Sequence, residues 1–232
     1  MCGRYGRFSR KERFERLLGM EPEERGDTIG RYNIAPRTFS WIALRRAGLS
    51  NKLSFESYEW GLLPAWAKDS KASRQVNARA ETVAEKPMVQ RLLREQRGLV
   101  PADGYYEWKA TPAGKLPYWF SMAGDAPFFF AALWDRWDRE TKPMPTYTLL
   151  TTEPNELAGE VHDRMPVIVR PQDYDLWLDP EVKDPEAIGH VLRPYPVEEM
   201  EMRRVSTRVN DARAEGPELI QGIEDDAPPR LL

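Results

Sequence analysis

Cysteine is almost absent from this chain: Cys2 is the only one in 232 residues, and His162 and His190 are the only histidines. A single thiol excludes an internal disulfide, and so few thiols and imidazoles leave no expected metal site. No apolar run is long enough to span a bilayer, and Arg4, Arg7, Arg10 and Lys11 are not followed by the apolar stretch of a signal peptide. There is no phosphate-binding glycine loop, serine nucleophile elbow or metal-ligand spacing. These absences predict a cytoplasmic protein without metal or cofactor, whose chemistry runs on Cys2, carboxylates, amides, arginines or a histidine.

What is present is enough hydrophobic sequence, 41%, for one sizeable core. The expectation is one domain over residues 1–224 and a mobile, acidic, proline-rich tail over 225–232. The net charge of −3 hides an asymmetry: residues 1–98 carry 20 Lys and Arg against 12 Asp and Glu, and residues 99–232 carry 14 against 25. A basic half suggests a polyanion partner, although solvated helix and loop faces give the same count.

Position gives Cys2 its interest. Removal of the initiator methionine makes it the first residue, with an α-amine and a thiol two carbons apart. Such a pair captures an aldehyde twice, first as an imine and then as a five-membered thiazolidine. Unperturbed, the amine titrates at about 7.7–8.0 and the thiol at about 8.5, so both have a reactive fraction near neutral pH.

Ser9-Arg10-Lys11-Glu12 reads as a capping box opening a short helix through Phe14, Leu17 and Leu18 to Gly19. Residues 31–36 read as a loop, and 39–46 and 53–60 as a hairpin across 48–51. Residues 68–86 read as irregular, followed by a helix over 87–96 with Pro87 in its first turn. Short strands are expected at 99–102, 105–109, 118–122, 128–134, 146–152, 167–170 and 202–206, and helical segments at 155–160, 171–178 and 185–192. The spacing predicts an α+β fold: a single β-rich domain with a curled, barrel-like mixed sheet flanked by short helices.

Glu107, hemmed by aromatics in Gly104-Tyr105-Tyr106-Glu107-Trp108, is a candidate general acid or base, with a water-facing edge carboxylate the alternative. His162 is a candidate proton shuttle beside Asp163 and Arg164, and equally a member of a structural network. Asn77 could orient an amine, and Arg4 and Arg79 could hold phosphates. Six stretches taken together resemble the SOS-response-associated peptidase family, the abasic-site-processing proteins. They are Cys2-Gly3-Arg4, Tyr32 to Pro36, Trp60 to Pro64, Asn77 to Thr82, Gly104 to Lys109 and His162 to Pro166, in the family's order.

The resemblance implies a monomer that binds single-stranded DNA in a basic groove and crosslinks Cys2, as a thiazolidine, to the aldehyde of an abasic site. Carried over by position, Cys2 is the nucleophile, Asn77 and Glu107 position its amine and manage the proton, and His162 assists imine formation and reversal. Arg4, Arg79 and Arg164 contact DNA, while Asn33, Pro36 and Trp66 line the groove. Weak lyase activity is implied as a side reaction, self-directed peptidase activity is suggested by the family's name, and association with the nucleoid is expected on DNA damage. Val209 to Pro217 follows the family pattern only in part. Two other readings stay open: a cysteine hydrolase using Cys2, His162 and Glu107, and a non-covalent reader of modified bases.

Overall fold

The computed structural model describes residues 2–22, 30–46, 52–139 and 142–223. In chain order the strands and α-helices are β1 (Arg4–Arg7), α1 (Lys11–Leu17), β2 (Arg31–Ile34), β3 (Phe39–Arg45), β4 (Leu53–Trp60), β5 (Asn77–Arg79), α2 (Ala80–Val83) and α3 (Pro87–Glu95). They continue with β6 (Arg97–Ala102), β7 (Gly104–Thr111), β8 (Gly114–Met122), β9 (Phe128–Trp137), β10 (Met144–Thr152) and α4 (Glu156–Gly159). The last are β11 (Met165–Pro166), β12 (Ile168–Val169), α5 (Tyr174–Leu178) and β13 (Met200–Arg204).

Five strands close on themselves. β4 pairs with β3, β3 with β6, β6 with β9 and β9 with β10, all antiparallel, and β10 returns to β4 in parallel. This is a closed mixed barrel, the curled sheet the sequence predicts. Its strands alternate with period two. Ile42, Leu44, Trp60, Val100, Phe130 and Leu149 pack with Tyr5, Tyr105 and Phe120 of a second, antiparallel sheet ordered β13-β8-β7-β1-β2. Their neighbours Ala43, Leu99, Phe129, Leu133 and Leu150 pack under Phe14 of α1, Leu92 and Leu93 of α3 and Trp177 of α5. Closure removes the unpaired edges that a free five-stranded sheet would expose.

Several expectations are corrected. Residues 31–34 form β2 instead of a loop, because Tyr5 and Arg7 of β1 pair with Ile34 and Arg31. Within 68–86, Asn77–Arg79 is a strand laid parallel on Leu149–Thr151 of β10, and α2 follows it directly. The Ser9 capping box does not form: Arg10 is the residue before α1, and no side chain caps the helix. The buried Asp103 carboxylate instead accepts the Phe8 and Ser9 backbone N–H groups, at 2.6 and 2.8 Å. The segment 185–192 is a 3-10 helix. The hairpin turn at 48–51, Met1 and the tail over 225–232 lie outside the described residues, apart from which 39–45 and 53–60 pair as expected.

Gly104 shows how tightly the second sheet is built. A Cβ there would sit 2.2 Å from Trp119 Cζ2 and 2.5 Å from the Phe120 carbonyl oxygen. Since the backbone oxygen cannot swing away, Gly104→Ala is expected to cost about 2–3 kcal/mol, lowering the Tm by about 4–12 °C in a calorimetric melt.

Candidate active site at the amino terminus

Two pairings distant in sequence make the site. β1 runs antiparallel to β7, and their ladder reaches Arg4 opposite Tyr106, one step short of Glu107. The residues before Arg4 are thereby delivered to the Glu107 end of β7. From the other side, β5 holds Asn77 against Leu149, and the Asn77 amide donates from Nδ2 to the Cys2 carbonyl oxygen at 2.8 Å. β10 then leads into α4, capped by the Asn155 carboxamide, and β11 returns along Thr151 and Thr152. The loop between them carries His162, whose backbone N–H bonds the Ala158 carbonyl.

Cys2 is fully buried, with Sγ 3.9 Å from the Arg4 carbonyl oxygen. Burial pushes its thiol far above the ordinary range, and the Glu107 charge adds to the effect. Glu107, 3% exposed, is itself raised by burial, and the positive charges of the amino terminus and of His162 pull it partly back. Tyr105 is driven well up by burial and then by Cys2 and Glu107. Cys2, Tyr105, Glu107 and His162 therefore share one electrostatic environment.

His162 Nδ1 has two competing neighbours. The Arg164 backbone N–H donates to it at 3.0 Å, and Asp163 Oδ1 lies at 2.8 Å. Nδ1 can accept from the Arg164 N–H or, carrying a hydrogen, donate to Asp163. Asn77 Oδ1 is buried and has no hydrogen-bond partner among the described residues. It is an acceptor awaiting a donor beside residue 2.

The residues expected at DNA divide into three groups. Arg79 is exposed and makes no ion pair among the described residues, and Trp66, 61% exposed, stands on the rim of a groove of about 630 Å³ with Pro64 and Arg74. Pro36 is half-buried. Arg4 is partly committed: it donates to Asn33 Oδ1 at 2.8 Å and to the carbonyls of Val209 and Asn210. Asn33 is wholly buried, and its amide group donates to the carbonyls of Asp211 and Ala214, so it shapes the 209–214 loop from beneath and offers no surface of its own. Arg164 grips Glu81 with both terminal nitrogens, at 2.7 and 2.9 Å, and also bonds the Thr151 carbonyl. That pairing holds Glu81 below the usual carboxylate range, largely through the Arg164 hydrogen bond.

Glu81 is the residue to which sequence reasoning assigns no role. It ties the His162 loop to the segment that carries Asn77 and Arg79. Its sequence signal is its place in the Asn77 to Thr82 stretch, four residues after Asn77.

The closed mixed barrel and the second sheet thus hold Cys2 buried, with Asn77 on its carbonyl and Glu107 within electrostatic reach. The chain belongs to the SOS response associated peptidase (SRAP) family, whose model it matches over residues 1–212. It is 38% identical over 227 residues to abasic site processing protein YoqW of Bacillus subtilis, covering 95% of this chain and 99% of that one. It is 28% identical to abasic site processing protein YedK of Escherichia coli, covering 96% and 100%. Among solved structures, a protein from Bacteroides thetaiotaomicron superposes with a TM-score of 0.81 at 24% identity, covering 96% of this chain and all of that one.

Proposed function

We propose that this chain captures abasic sites in single-stranded DNA by forming a covalent thiazolidine between mature Cys2 and the ring-opened sugar aldehyde. The observation that carries the reading is the grip on residue 2. Asn77 bonds its carbonyl and keeps a buried Oδ1 that has no partner among the described residues, while Glu107 lies within electrostatic reach of both Cys2 and His162. The names of the relatives point to the same lesion.

The neutral α-amine attacks the aldehyde carbon, giving a carbinolamine. Its hydroxyl leaves as water, with the proton supplied by Glu107 or His162, and an imine remains. The thiol sulfur then adds to the imine carbon while its proton passes to nitrogen, closing the ring. One water is released overall, and no oxidant or metal enters the balance. Arg79 and the free donors of Arg4 hold phosphates, Trp66 stacks on a neighbouring base beside Pro36, and Asn33 and Arg164 act through the loops they brace. β-Elimination from the same imine is the side path to weak lyase activity.

Burial and a neighbouring carboxylate both disfavour a thiolate at Cys2. A peptidase needs its thiolate at rest, whereas here the amine reacts first and the thiol need only add to an adjacent imine. The protein is tested by incubation with an abasic single-stranded oligonucleotide and denaturing electrophoresis after heating. A heat-stable band of protein plus oligonucleotide is expected, and its absence from protein of confirmed amino terminus refutes the reading.

A further inference from the structure

All 25 aromatic side chains fall within the described residues, and only two of them, Phe39 and Trp66, are exposed. Trp66 already has a place in the DNA groove. Phe39, 54% exposed at the first position of β3, contributes little to the core, and no other ring or cation packs on it among the described residues.

A chain of contacts links the neighbourhoods of the two rings. From Asn77, bonded to Cys2, the chain runs back through Gln75, whose backbone pairs with Leu62, to Arg74 and Trp66 on the groove. Gly61 joins this wall to the next: a side chain there would meet Arg74 Cβ at 3.3 Å and Arg37 Cδ at 3.8 Å. Arg37 donates its backbone N–H to the Trp60 carbonyl and ion-pairs with Glu59 at 3.0 Å, and Glu59 is the cross-strand partner of Phe39. Arg37 takes a left-handed backbone, φ 71°, which a residue with a side chain adopts at a cost. That turn, braced by Thr38 Oγ1 on the Ala35 carbonyl, brings the chain from Pro36 to Phe39 and leaves both Arg37 and Phe39 outward.

Lys68 and Lys71 add exposed positive charge on the Trp66 side, and neither has an ion pair among the described residues. Exposed rings interleaved with cations are the surface single-stranded nucleic acid uses, bases on rings and phosphates on cations. An apolar protein partner would gain nothing from the arginines and lysines, so the charge favours a nucleic acid.

We infer that Phe39 is a second base-stacking residue, and that a strand bound in the Trp66 groove continues past Arg74 and Arg37 to it. The strand carrying the lesion is thereby held at a base several nucleotides away on the Trp66 side. This rests on the DNA reading above and lengthens its footprint.

The test is fluorescence anisotropy with single strands carrying a tetrahydrofuran abasic analogue, which has no aldehyde and keeps binding non-covalent, with each arm lengthened one nucleotide at a time. Wild-type affinity is expected to step up when one arm reaches Phe39. Phe39→Ala is expected to remove that step, a loss of about 5- to 150-fold on long arms, and Phe39→Trp to keep it. A step of undiminished size in Phe39→Ala overturns the inference, as does an equal loss at every arm length. If Trp66→Ala weakens binding while Phe39→Ala does not, the DNA reading stands and the extension falls. If wild-type protein binds none of these strands, both fall.

Discussion

Cys2→Ser is expected to abolish the heat-stable crosslink while leaving an adduct that borohydride traps. The substitution keeps the α-amine, so the imine still forms, but a hydroxyl is a poor nucleophile toward it and the ring does not persist. Placing a glutamine between Met1 and Cys2 is expected to be more severe. Glutamine is too large for methionine removal and brings no side-chain amine, so the thiol survives intact but the nitrogen beside it becomes an amide. The heat-stable adduct should vanish and borohydride trapping should collapse, a loss of at least about 1000-fold if attack by the Cys2 amine is the entry step. The pair of variants separates the two nucleophiles. A mechanism that used the thiol alone would instead leave the glutamine-extended chain active and Cys2→Ser inert. Because Cys2 is fully buried and gripped at its carbonyl by Asn77, the extension also tests whether the pocket tolerates residues before it. The melting temperature of each variant reports that separately.

The difference between what local sequence shows and what it hides follows from the range of the contacts. Phe39–Arg45 and Leu53–Trp60 are legible because alternation and a short connection fix a hairpin locally. Pro87 at the start of α3 is legible for the same reason. β5 is three residues long and becomes a strand only because Leu149–Thr151 lies beside it, so nothing within 68–86 announces it. The capping box fails because Asp103, far along the chain, takes the Phe8 and Ser9 N–H groups and fixes the entry to α1. Residue types alone suggest Cys2, Asn77, Glu107 and His162, but their convergence depends on the β1–β7 and β5–β10 pairings, which local sequence does not carry. Asn33 and Arg164 carry polar groups that look available in a sequence and are engaged with the Asp211 and Ala214 carbonyls and with Glu81 in the fold. Glu81 escapes a reading of the sequence because a latch is visible only with both halves in place.

Glu107→Gln is expected to slow crosslink formation by about 100- to 10,000-fold, the ordinary range for loss of a general acid or base, while making the protein more heat-stable at neutral pH. The stability effect follows from the raised pKa of the buried carboxyl, whose largest cause is desolvation. A group with a folded pKa above its unfolded value, about 4.3 for Glu, favours the folded state while protonated and loses that contribution as pH rises through the folded value. Glutamine does not titrate, so the melting-temperature gap between Glu107→Gln and wild type should open as pH rises from the unfolded value through the raised one, and close again in acid. A gap independent of pH, or a variant less stable at pH 7.5, would show that the ionised carboxylate is held by its neighbours more strongly than burial opposes it. A group that destabilises the fold at the working pH and is still needed for rate marks a site where stability has been given up for reactivity. The low-pH limb of the rate profile should survive in Glu107→Gln, since it reports deprotonation of the α-amine. If that limb moved by as much as the rate fell, Glu107 would be setting the amine's pKa and not transferring its proton.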